Sequence, residues 1–225
     1  MIKAVLIDVD DTLLDFDESA KMSMHMAAEE MGITLPKNIW EIFVDINETL
    51  WRDLEQGILT NAELFRIRWT KIFDAADITA DGPEFEAAFL RGLSICAPVI
   101  AGAEELMLYL HEKYTVGVAS NGPYEQQVNR LKKVGLLPYV DYMFVSGEIG
   151  HAKPKEAFFD ACMAELGDIR PDQVMMIGDS ISADISGAKD YGMQTCWYNH
   201  KGVPTDHGTI ADYEVDSLLE IKEIL

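Results

Sequence analysis

The chain opens with MIKAVLIDVDDTLLDFD, in which the apolar run AVLI gives way to Asp8, Asp10 and Asp11 within four positions. An apolar, β-branched run without alternation reads as a strand buried on both faces, the kind found in a parallel sheet covered by helices. Carboxylates crowded at the end of such a strand repel one another and lose hydration. A buried strand does not end that way without cause.

The rest of the chain says what surrounds that strand. From Tyr114 onward, the runs YTVGVAS, YMFVSG, QVMMIG and QTCWY alternate with amphipathic stretches of about helix length. This βαβ rhythm predicts an α/β fold with a mostly parallel sheet. Between Phe16 and about Ala97 no strand signal appears. Apolar residues there recur at helical spacing, as in Ile42, Ile46, Thr49 and Leu50, or Leu64, Ile67 and Phe73. Gly32, Pro36, Gly57 and Asp81–Gly82–Pro83 punctuate the stretch into about four helices. Either a long N-terminal helical arm or a helical insertion after the first strand fits this pattern. The insertion is favoured, because the first strand needs parallel neighbours and the chain returns near Pro98 to supply them. The expected division is residues 1–15 and 98–225 as the core and 16–97 as an inserted helical domain.

Composition narrows the partners. The 225 residues carry 18 Lys and Arg against 39 Asp and Glu, a net charge of −21, which repels nucleic-acid polymers and anionic membranes. Cys96, Cys162 and Cys196 are odd in number and unpaired by any CxxC spacing, so they read as reduced thiols. His25, His111, His151, His200 and His207 lack metal-ligand spacing and read as surface or loop residues. The apolar run that Asp8 interrupts is too short for a signal peptide or a membrane span. A soluble, cytoplasmic protein is the expectation, as monomer or homodimer.

In an open parallel sheet, ligands bind beyond the carboxyl ends of the strands. The first strand ends in DVDD, the second in Ser120-Asn121-Gly122, and the fourth in Gly178-Asp179-Ser180, with Asp184 one helical turn on. After the third strand, GHAKPKEAFF is expected to place Lys153 at the start of a helix, with Pro154 at its first position. Taken singly, each has an ordinary structural reading: Asp11 as a cap, SNG as a loop, Ser180 and Asp184 as an N-cap and a first-turn acid. Together, at these strand ends, they point to a site. Converging carboxylates suit a hard cation such as Mg2+, which prefers oxygen ligands.

The segments DVDDTL, SNG, KPKEAF and GDSISAD resemble the four motifs of the haloacid dehalogenase (HAD) superfamily, in the subfamily with a helical cap inserted after the first strand. The resemblance spans the chain. It implies a Rossmann-like core with strand order 5-4-1-2-3, a four-helix cap, Mg2+, and hydrolysis of small-molecule phosphomonoesters through an aspartyl-phosphate. It further implies that Asp8 is the nucleophile and Asp10 the general acid/base. Ser120 and the Asn121 backbone would hold the phosphoryl oxygens, which Lys153 neutralises. The metal would take Asp8, the Asp10 carbonyl and Asp179, with Asp184 in support. The dehalogenases lack the second acid, so Asp10 favours a phosphatase. Thr12 is expected to brace the loop, and Asp11 to be structural.

NETLWRDLEQGILTNAELFRIRW and CWYNHKG resemble the pyrimidine 5′-nucleotidase branch of that superfamily, and WYNHKG also resembles N-acylneuraminate-9-phosphatases. The resemblance implies nucleoside 5′-monophosphates as substrates, pyrimidines preferred, with a sugar phosphate as the alternative. A non-catalytic Mg2+- or phosphate-binding module is the alternative of another class. Trp51, Arg68 and Trp69 are candidates for stacking a base or holding an anion; aromatics at helical spacing usually fill a core, and that is the stronger reading of the three.

Overall fold

The computed structural model describes residues 1–204 and 211–225, which leaves His207 outside the described residues. β1 (Ala4–Ile7) is followed by four helices: α1 (Phe16–Met31), α2 (Ile39–Glu55), α3 (Asn61–Ala75) and α4 (Gly82–Leu93). Strands and helices then alternate: α5 (Ala103–Lys113), β2 (Thr115–Ser120), α6 (Tyr124–Lys133), β3 (Tyr142–Val145), α7 (Ser146–Ile149), α8 (Glu156–Leu166), β4 (Val174–Gly178), α9 (Gly187–Asp190), β5 (Gln194–Tyr198), β6 (Tyr213–Val215) and α10 (Ile221–Ile224). The chain divides into two compact units, Met1–Phe16 with Ala97–Leu225, and Asp17–Cys96.

In the first unit the strands lie in the order β3-β2-β1-β4-β5-β6, and every pair is parallel. The first five stand in the order that the resemblance implies. β6 is an addition at the edge: a three-residue strand with two exposed positions is too short to show periodicity in the sequence. Both faces of the sheet are covered, so the period-2 alternation splits apolar residues between two cores. Val5, Ile7, Val116, Val118, Met175 and Ile177 pack with Leu106, Met107 and Leu110 of α5. Ala4, Leu6, Val174 and Met176 pack on the other side with Phe158, Phe159 and Cys162 of α8. This two-sided burial is why these strands carry no polar alternation.

The second unit is helical, and its helix starts are written locally. Thr60 and Glu63 form a capping box at α3, and the Asp81 carboxylate accepts from Glu84 N at α4, with Pro83 in the first turn. The helix read from Ile42, Ile46, Thr49 and Leu50 is α2, and its buried stripe is Ile39, Phe43, Asn47, Leu50 and Leu54. The large ring of Phe43 decides the orientation, packing 5.7 Å from Trp69 and 5.6 Å from Phe89 between ring centroids. Trp69 is fully buried, 4.2 Å from Phe85. Arg68, 1% exposed, donates to Glu86 at 2.6 and 3.1 Å and to Asn47 Oδ1 at 3.0 Å. Burial pushes the Glu86 carboxyl up and the Arg68 guanidinium opposes it. Trp69→Ala is therefore expected to cost about 3–5 kcal/mol, read as a lower thermal midpoint. A midpoint within a degree of the parent would show that the ring fills no core.

Among the described residues, no helix is long and apolar enough to cross a membrane, and all three cysteines are buried free thiols.

Candidate active site

The strand register brings the motifs together. Ile7 pairs with Val118 on one side and Ile177 on the other, so Asp8, Ala119–Ser120 and Gly178–Asp179 leave the sheet side by side. Asp8 N donates the last ladder bond, to Ile177 O at 2.9 Å. The chain then turns on the Val9 carbonyl, which accepts from Thr12, Leu13 and Leu14 N. Asp11 sits in that turn with φ +57, a left-handed conformation that Asp tolerates. Its carboxylate accepts from Phe16 N, the first residue of α1, at 2.9 Å and from Lys201 Nζ at 2.6 Å.

Lys153 is the hub. Its ammonium is 2% exposed and donates to Asp8 Oδ1 at 2.7 Å, Asp184 Oδ1 at 2.6 Å and Ala119 O at 2.5 Å, which uses its three protons. Lys153 does not start a helix, contrary to the sequence expectation; α8 begins at Glu156 with Lys155 as its N-cap, and Pro154 lies ahead of the first turn. The reason is Asn121, whose carboxamide donates to Lys153 O at 3.0 Å and accepts from Lys153 N at 2.9 Å. That clamp takes the Lys153 carbonyl, which a helical turn starting there would need as an acceptor.

Asp184 folds back over the end of β4. Its Oδ2 accepts from Ser180 N at 3.1 Å, and Ser180 Oγ caps the π-type turn Ile181–Ser186 by accepting from Ala183 N. A Cβ on Gly178 would lie 2.1 Å from Asp184 Oδ2, so this close approach requires glycine. Asp179 is held through its carbonyl by Trp197 Nε1 at 2.8 Å and through Oδ1 by the Thr12 hydroxyl at 3.4 Å.

Oxygens of Asp8, Asp179 and Asp184 lie within 4.8 Å of one another. Three carboxylates face one ammonium, and the charge balance shows in their titration. Burial pushes Asp8 up to about 7, against the lowering effect of Lys153 and with Asp184 and Asp10 adding to the rise. Burial and the neighbouring Asp184 and Asp8 raise Asp179 well above its ordinary value. Burial alone would lower Lys153, but Asp184 and Asp8 hold it above its ordinary value. An oxygen-only, acid-rich donor set of this kind fits a hard divalent cation.

A family model described as haloacid dehalogenase-like hydrolase matches residues 2–192. The chain belongs to the haloacid dehalogenase-like hydrolases. It is 31% identical over 223 residues to the HAD-hydrolase YfnB of Bacillus subtilis, covering 99% of this chain and 95% of that protein. The crystal structure of YfnB bound to magnesium matches with a TM-score of 0.93 at 30% identity, over 99% of this chain and 98% of that one. The pyrimidine 5′-nucleotidase PynA of Streptococcus pneumoniae is 30% identical, over 99% of this chain and 94% of its own length. The pyrimidine 5′-nucleotidase YjjG of Escherichia coli is 28% identical, over 98% and 96%.

In this HAD-like hydrolase the expected residues fall into three groups. Asp8, Lys153, Asp179 and Asp184 meet directly, while Asn121 stands behind Lys153. Ser120 and Asp10 are joined by Gln127 of α6, whose Nε2 lies 3.0 Å from Ser120 Oγ and 2.6 Å from Asp10 Oδ2. Arg130 Nη1 donates to Asp10 Oδ1 at 2.5 Å. Neither Gln127 nor Arg130 was anticipated; the only sequence signal is an amide and a cation spaced i, i+3 on the helix that follows Gly122. Arg68 and Trp69 are interior residues of the second unit, while Trp51 is half-buried, edge-on to Phe65 at 6.4 Å.

Proposed function

We propose that the chain is a Mg2+-dependent phosphomonoester hydrolase that works through an aspartyl-phosphate on Asp8, with pyrimidine nucleoside 5′-monophosphates as preferred substrates. The observation that carries the chemistry is Asp8 itself, a buried carboxylate at a strand end, ion-paired to Lys153 and grouped with two further carboxylates. Asp8, the Asp10 carbonyl and Asp179 would hold Mg2+, with Asp184 in support; when bound it offsets the repulsion between carboxylate and phosphoryl oxygens. Lys153 adds a fixed positive charge beside Asp8 in a site shielded from water, where such charge acts strongly.

An Asp8 oxygen attacks phosphorus, and the bond from phosphorus to the leaving oxygen breaks with its electron pair. Asp10, protonated, hands its proton to that oxygen and the alcohol departs. Asp10, now a carboxylate, takes a proton from water as the water oxygen attacks phosphorus. The bond from phosphorus to Asp8 breaks, Asp8 regains its charge, and inorganic phosphate is released. Ser120 and the Asn121 backbone bind the phosphoryl oxygens.

These segments read only the phosphoryl group, so selectivity lies in other residues. Likeness to PynA and YjjG supports a pyrimidine nucleotide. Trp51 is the one of the three aromatic and cationic candidates in the second unit that keeps exposed surface. A phosphate-release screen with Mg2+ is expected to rank UMP, dUMP or dTMP above their purine counterparts in kcat/KM. Trp51→Ala should lower that kcat/KM at an unchanged melting temperature. A sugar phosphate that outperforms every nucleotide tenfold would replace the nucleotide reading and leave the chemistry standing.

The raised Asp8 carries a stability prediction. Between about pH 4 and pH 7 the folded chain keeps a proton on Asp8 that the unfolded chain has released, so stability falls as pH rises through that window. The metal-free protein should melt lower at about pH 7.5 than at about pH 5, and Mg2+ should raise the midpoint more at the higher pH. An Mg2+ effect independent of pH would contradict this.

A further inference from the structure

We propose that Gln127, braced by Arg130, is the positioning residue that aims both the Ser120 hydroxyl and the Asp10 carboxylate at the reacting phosphoryl group; this rests on the phosphatase reading above. Both side chains are fully buried on one face of α6. The Gln127 carboxamide has two N–H bonds, and both are used: one to Asp10 Oδ2 at 2.6 Å, one to Ser120 Oγ at 3.0 Å. Its oxygen accepts from Arg130 Nη1 at 3.1 Å. A guanidinium has no acceptor, so it forces the amide oxygen toward itself and the amide nitrogen toward Asp10 and Ser120. The orientation of Gln127 therefore follows from its partners.

Two consequences reach the reacting atoms. Ser120 Oγ accepts from Gly122 N at 3.1 Å as well as from Gln127, so both lone pairs are taken and its single O–H is left to donate. A phosphoryl oxygen is the acceptor it suits. Asp10 accepts one hydrogen bond on each oxygen, from Gln127 and from Arg130 Nη1 at 2.5 Å, which pins the carboxylate plane. Each oxygen keeps a lone pair for exchanging a proton with the leaving group or with water. Gly122 belongs to the same device, because a Cβ there would lie 2.4 Å from Gln127 Nε2.

The test compares kcat/KM for an aryl phosphate, p-nitrophenyl phosphate, with that for a simple alkyl phosphate, together with competitive inhibition by inorganic phosphate, all with Mg2+. An aryl leaving group departs without a proton and an alkoxide does not, so misplacing Asp10 penalises the alkyl substrate selectively. Gln127→Leu and Gln127→Glu are expected to lose about tenfold more on the alkyl than on the aryl substrate, and to bind phosphate several-fold more weakly. Gly122→Ala, which pushes the amide aside without removing it, should reproduce that split. Arg130→Met should show the alkyl-selective loss with a smaller effect on phosphate, since it reaches Ser120 only through Gln127. Equal losses on both substrates with phosphate inhibition unchanged, or a set in which every variant fails to fold, would reduce Gln127 to a packing residue and overturn the proposal. A parent protein that hydrolyses neither substrate overturns the phosphatase reading instead, and this inference with it; parent turnover with an unchanged ratio in the variants overturns the inference alone.

Discussion

Asp8→Asn is expected to lower kcat by about 10⁴-fold or more, the scale seen when a residue that makes or breaks the covalent bond is removed. The amide is close to isosteric with the carboxylate and still accepts from Lys153, so the fold should stand. The substitution also takes one charge from a cluster in which three carboxylates face a single ammonium. The metal-free melting temperature should therefore hold or rise while turnover disappears. Steady-state phosphate release and a thermal melt on the same preparation check both halves. A variant that keeps a tenth of the parent rate would mean that another group attacks phosphorus.

Lys153→Met should be among the most damaging single changes to stability. It leaves Asp8 and Asp184, both buried, without the ammonium that lies 2.7 and 2.6 Å from them. Breaking a buried pair by removing one partner costs about 3–5 kcal/mol, because the remaining charge has neither water nor a counter-ion. The loss should be larger at about pH 7 than at about pH 5, where burial lets Asp8 take up a proton. Urea titrations at the two pH values measure it. Adding Asp184→Leu to Lys153→Met should recover part of the stability and none of the activity, since an apolar pair replaces the unpaired acid while the phosphoryl group still lacks its cation. A Lys153→Met protein as stable as the parent at both pH values would show that the carboxylates are neutral in the folded chain.

The two expectations differ in kind because Asp8 and Lys153 are differently legible. Asp8 is visible locally: it stands at the end of an uninterrupted apolar strand with two further carboxylates, Asp10 and Asp11, within the next three positions. Lys153 stands out only beside three other strand ends, and its contacts with Asp8 and Asp184 span 145 and 31 residues of chain. Arg68 and Trp69 show the limit from the other side. An aromatic and a cation at helical spacing look the same whether they fill a core or face a ligand; burial among Phe43, Phe85 and Phe89 and the ion pair to Glu86 distinguish the two.

By itself, the sequence determined the α/β class, the positions of the five longer strands along the chain, the four-helix stretch after the first strand, and the identity of the residues at each strand end. These are local properties: runs buried on both faces lose polar alternation, caps and glycines mark helix ends, and motifs occupy consecutive positions. Only the tertiary structure decided which groups hold which. The clamp of Asn121 on Lys153, the fold of Asp184 over Gly178, and the Gln127–Arg130 brace on Asp10 join residues 32, 6, and 117 and 120 positions apart. The long-range partners are chosen by the sheet register and helix placement, which no short window of sequence contains, and the fold of Asp184 onto Gly178, though local, follows from the turn that ends β4.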